Sequence, residues 1–169
     1  MRKSLDALYD AAAGLAALSM VGLLVMVLLS VVSRQLHFHV AGTDAYAGYL
    51  MAGAGFLALA HTLKRGEHIR VTLLLAALHG RARRALEIWA LFAAALLAGL
   101  AAWYSVRLAW QSYALHDIST GNDATPLWIP QLSMAAGTLV LLIAFVDELV
   151  LELQGRRSVP TSTEATRNE

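Results

Sequence analysis

The sequence predicts an all-α membrane protein with four transmembrane helices and a short interfacial helix between the second and third spans. Three observations predict it. Hydrophobic residues make up 58% of the 169 residues and charged residues 15%, against roughly 45–50% and about 25% in an average soluble domain. Asp, Glu, Lys and Arg are absent from residues 11–33, 45–63, 88–106 and 124–146, and crowd the gaps between them. Each run is about 20 residues long, enough to cross a hydrocarbon core of roughly 30 Å at about 1.5 Å per residue. A soluble bundle would show a polar face every 3.6 residues, and these runs show none.

The first span follows Arg2 and Lys3, as the apolar core of a secretory leader also follows basic residues. Its apolar run exceeds the usual 7–15 residues of a cleavable core and ends in no small-residue cleavage site. It reads as a retained span. Between spans two and three, Ile69, Val71, Leu73, Leu74, Leu75 and Leu78 form an apolar run too short to cross, bracketed by basic residues. That pattern suits a helix lying in the interface, its apolar side in acyl chains and its basic ends at anionic head groups. The connection from Arg107 to Thr125 is rich in polar and turn residues, and Pro126 and Pro130 then open span four, where a missing amide donor costs little. Residues 1–157 form the membrane domain, and 158–169 read as a disordered cytoplasmic tail.

Basic residues set the orientation. Arg2, Lys3, Lys64, Arg65, Arg70, Arg81, Arg83, Arg84, Arg156, Arg157 and Arg167 lie on one side, against Arg34 and Arg107 on the other. Both termini and the middle connection are expected in the cytoplasm. Trp103, Tyr104, Trp110 and Trp128 gather near the outer boundary, Tyr9 and Trp89 near the inner one, as interfacial aromatics do.

Several function classes are excluded or lack their residues. The chain has no cysteine, which removes disulfides, thiolate metal sites and iron–sulfur clusters, and a net charge of +1 gives no reason to bind nucleic acid. No nucleophile elbow, phosphate loop or zinc-ligand motif is present. The spans hold no acid and a single histidine, His61, so the chain alone has little with which to move a polar or charged solute. A haem on paired histidines would need two of them on facing helices at one depth. His37, His39, His68, His79 and His116 all lie in connections. No catalytic, cofactor or metal residues are expected.

What the spans offer is packing surface. Ala45, Gly48, Ala52 and Gly55 recur at spacings of three and four, a smooth stripe that lets another helix approach closely, from this chain or from a partner. At the outer ends, Arg34, Asp44 and Arg107 are separate solvated flanks or one ion-pair cluster; the sequence is compatible with both.

The order of these features resembles the small membrane subunit of the tripartite ATP-independent periplasmic (TRAP) transporters. The first span ends in Ser33-Arg34, and Asp44 opens a second span of small residues. That span runs into Lys64-Arg65-Gly66-Glu67-His68-Ile69-Arg70-Val71, and Thr125-Pro126-Leu127-Trp128-Ile129-Pro130 opens the last. Gly66, Glu67, His68 and Arg70 are the specific part. Thr72 and Asp44 stand where family members often carry an acid and a glutamate, so no ion pair of that first acid is carried over.

The resemblance, which covers about residues 5 to 155, implies a non-catalytic subunit of the bacterial inner membrane. It would brace the scaffold of a large elevator-type subunit that holds the substrate and sodium sites. It would also help dock a periplasmic substrate-binding protein that delivers an organic acid. The implied partners are the large TRAP membrane subunit, the binding protein and membrane lipids, with no cofactor. The alternative reading is a haem-bearing or structural membrane anchor of a respiratory oxidoreductase.

Overall fold

A computed structural model describes residues 2–38, 40–65 and 80–155. Among them are four helices: α1 (Arg2–Gln35), α2 (Thr43–Lys64), α3 (Arg81–Ala114) and α4 (Trp128–Leu153). The segment expected to form the interfacial helix, and with it Gly66, Glu67, His68 and Arg70, lies outside the described residues, as does the polar tail. The end of the bundle that carries the first residues of α1 and the last of α4 is the tail end. The end that carries the α1–α2 and α3–α4 connections is the loop end.

Three segments are long and apolar enough to cross a membrane: Leu5–Gln35, Arg81–Ala114 and Trp128–Leu153. The fourth helix, α2, has 22 residues and hence a length of about 33 Å, but is diluted by glycine, alanine and tyrosine and falls short on apolarity. Its place in the bundle accounts for the dilution. It packs against both α1 and α4, while α3 packs on α4. A helix held between two others meets backbone more than lipid, and small side chains let that backbone come close.

The helices overrun the charge-free runs. Lack of charge marks the hydrocarbon, whereas a helix continues for as long as its backbone hydrogen bonds and side chains allow. At the start of α3 the Arg83 Nε donates to Glu87 Oε1 at 3.2 Å, an i,i+4 pair that supports helix through a charged stretch. At the other end the helix runs seven residues past Arg107, which therefore sits in α3 and not in the connection. Residues 124–127 show the opposite mismatch: uncharged, they belong to the connection, and α4 begins at Trp128.

Packing is by small residues, with large ones turned out. The buried side chains include Ala12, Ala16, Ala60, Ala98, Ala102, Ala109, Ala135 and Ala144, while Leu18, Met20, Leu24, Phe92, Leu97 and Trp103 are exposed. In water this would be inside-out. In a bilayer, lipid tails solvate the leucines and gain nothing from hiding them, so close backbone contact decides which face turns inward. On α3 the buried positions Ala98, Ala102, Ser105, Ala109 and Ser112 alternate in steps of four and three, the 3.5-residue seam that lies along a neighbouring helix.

The closest approach joins α2 to α4. A Cβ placed on Gly137 would lie 2.5 Å from the carbonyl carbon and oxygen of Phe56, so only glycine fits. On the other flank Gly22 of α1 faces the Leu50 side chain, 3.2 Å from where its Cβ would be. Toward the tail end α1 also meets α4. Tyr9 (2% exposed), Ala60, Leu63 and Ala144 (0%) form a buried cluster there, with Val140, Leu141 and Phe145 against it.

Candidate functional site

α2 has two unlike sides, and the stripe stays together on one of them. Gly53, Leu57 and Ala60 are buried on the side toward α1 and α4. Gly48 and Gly55 lie on the opposite side: both are exposed, and a Cβ at either would meet nothing within 4 Å. Ala45 and Ala52 are half-buried at its edge, and exposed Asp44 and Met51 complete the open face. The helix in the middle of the bundle thus presents an unfilled, glycine-smooth side.

At the loop end two of the three flanking charges come together. Arg34 Nη2 and Asp44 Oδ2 are 3.9 Å apart with side chains 75% and 82% exposed, a contact that contributes little in water. Ser30 Oγ reaches Asp44 Oδ1 at 3.4 Å. Arg107 is not brought to them. It is exposed on α3 and makes no ion pair among the described residues. Arg34, His37, Asp44 and Asn122 line a polar notch of about 480 Å³ between the α1–α2 turn and the tip of the α3–α4 connection.

That connection is an ordered platform. The Ser119 amide donates to the Thr125 carbonyl at 2.9 Å and the Leu127 amide to the Asp117 carbonyl at 3.0 Å, closing a narrow loop across the Ile118–Pro126 bridge. Asp123 ties the loop to α2. Its Oδ1 accepts from the Ser119 hydroxyl at 2.7 Å and its Oδ2 from the Tyr49 hydroxyl at 3.0 Å, while Thr125 donates to the Tyr46 hydroxyl at 3.2 Å. Gly42 makes room for this. It caps α2 in the left-handed region (φ 80°), and a Cβ there would come within 2.8 Å of the Asp123 side chain. In the sequence this segment showed only as turn-rich, because Tyr46 and Tyr49 are too distant along the chain to betray their partner.

Hydrogen bonds hold the Asp123 carboxyl down at about 2: the Ser119 hydroxyl is the largest cause, burial opposes it next, and Thr125 and Tyr49 each add a smaller downward effect. The ordinary carboxylate value is about 3.9. A lowered value means that ionised Asp123 supports the docked loop at all pH above about 4, and that this support is lost as pH falls toward 2. Hydrogen-exchange protection of the Ser119 and Leu127 amides is therefore expected to stay level from pH 8 to 5. Asp123→Asn is expected to lower it across that whole range; equal protection in the variant would mean that the loop does not depend on the carboxylate.

The tail end holds a second polar feature, one that the sequence reading passed over. Lys64 Nζ donates to Asp147 Oδ2 at 2.8 Å, the two side chains 23% and 17% exposed, and sits 5.1 Å from the centre of the Tyr9 ring. One bond thereby joins α2 to α4 over an aromatic face of α1. Arg84 Nη2 donates to the carbonyls of Glu152 and Leu153, at 3.4 and 3.2 Å, so that α3 caps the end of α4.

The described histidines do not converge. His61 lies near the tail end, with Nδ1 3.7 Å from Asp10 Oδ1, whereas His37 and His116 occupy turns at the loop end with φ of 56° and 53°. Among the described residues no three metal-ligating side chains cluster. The arrangement gives a haem-bearing anchor no support.

Residues 23–155 match the family model described as tripartite ATP-independent periplasmic transporters, DctQ component. Comparison with curated proteins gives no match.

Proposed function

Because the chain belongs to the DctQ component family of the tripartite ATP-independent periplasmic transporters, we propose that it is the non-catalytic subunit that braces the scaffold of the large membrane subunit. The family is tripartite, so the chain is the small, multi-pass membrane member of a transporter that also comprises a large membrane subunit and a substrate-binding protein. In the proposed reading uptake is of an organic acid and is driven by a sodium gradient. α2 is the fourth span, and residues 1–157 make one membrane domain of the bacterial inner membrane with both termini and a short interfacial helix on the cytoplasmic side. In the same reading Gly66, Glu67, His68 and Arg70 belong to that inner interface, and residues 158–169 are the cytoplasmic tail.

The observation that carries the bracing role is the open side of α2. A helix already held by α1 and α4 has its glycines at 48 and 55 facing empty space. A smooth face of this kind takes a partner helix at close range, where dispersion and Cα–H contacts accumulate. The charge-free runs support the same reading, since a mobile transport domain needs a fixed surface that neither binds nor traps a charged substrate. The platform around Asp123 and the notch beside Arg34 and Asp44 are the surfaces suited to receive the binding protein.

Deleting the chain tests the function. Uptake of the transported acid should fall to background although no residue of the chain touches it, and uptake at the normal rate in cells without the chain would sink the proposal.

A further inference from the structure

We draw no further inference here: the strongest candidate, the apolar trough of about 340 Å³ that Leu15 and Leu18 of α1, Leu50 and Leu57 of α2 and Leu132 and Ala136 of α4 line, is an unpartnered face, and nothing in the structure shows what covers it.

Discussion

With Gly48 and Gly55 both changed to leucine, the chain is expected to fold as before and to lose its large partner. Nothing of the chain itself lies within 4 Å of a Cβ at either position, so the new side chains meet only lipid in the isolated subunit. Against a partner helix they hold the backbones apart, and overpacking of a close contact costs about 1–3 kcal/mol per site. Co-purified large subunit should drop by about tenfold or more. Gly137→Leu is the contrasting variant. Its side chain would collide with the Phe56 backbone, which cannot swing aside as a side chain can. That substitution should separate α2 from α4 and lower the thermal stability of the subunit alone. Should the double leucine variant bind its partner normally, the interface lies on another face.

Removing one member of the Lys64–Asp147 pair should destabilise the subunit more than removing both. Lys64→Met leaves Asp147 83% out of solvent with no cation beside it and takes the ammonium from over the Tyr9 ring. Breaking a fully buried pair costs about 3–5 kcal/mol. The remaining exposure here, 23% and 17%, scales this to on the order of 2 kcal/mol. Lys64→Met with Asp147→Leu should recover most of the loss, since no uncompensated charge then remains near the core. Thermal inactivation in detergent, read as a double-mutant cycle, measures the difference. A double variant as unstable as the sum of the singles would mean that the two residues act independently.

These two predictions rest on parts of the molecule that were unequally legible in the sequence. Helical character followed from the charge-free runs, because lipid tolerates charge so poorly that its absence outlines the hydrocarbon. Helix ends did not follow. Residues 107–114 and 81–87 are polar yet helical, and 124–127 are uncharged yet in a loop closed by bonds to residues 117 and 119.

The glycine stripe was visible as spacing, but which side of α2 the rest of the chain would take was not. That depended on Gly137 admitting the Phe56 backbone and on Gly22 meeting Leu50, both long-range events. The Lys64–Asp147 bond was hidden for the same reason. Lys64 reads locally as the start of a basic turn, and its partner stands 83 positions away just past the end of the last charge-free run. Asp123 looked like one polar residue among several, and its importance comes from Tyr49, 74 positions earlier. For Arg34, Asp44 and Arg107 the sequence was compatible with separate flanks or a cluster; Arg34 and Asp44 come within 3.9 Å, while α3 packs on α4 and keeps Arg107 away from the α1–α2 turn.

The most direct test of the central claim is to tag the C-terminus, extract the chain in mild detergent and identify by mass what accompanies it. The account predicts a large, many-span membrane protein in equal amount, retained by the parent chain and lost from the Gly48→Leu, Gly55→Leu variant. A chain that emerges alone, or bound to a soluble redox enzyme, would contradict it.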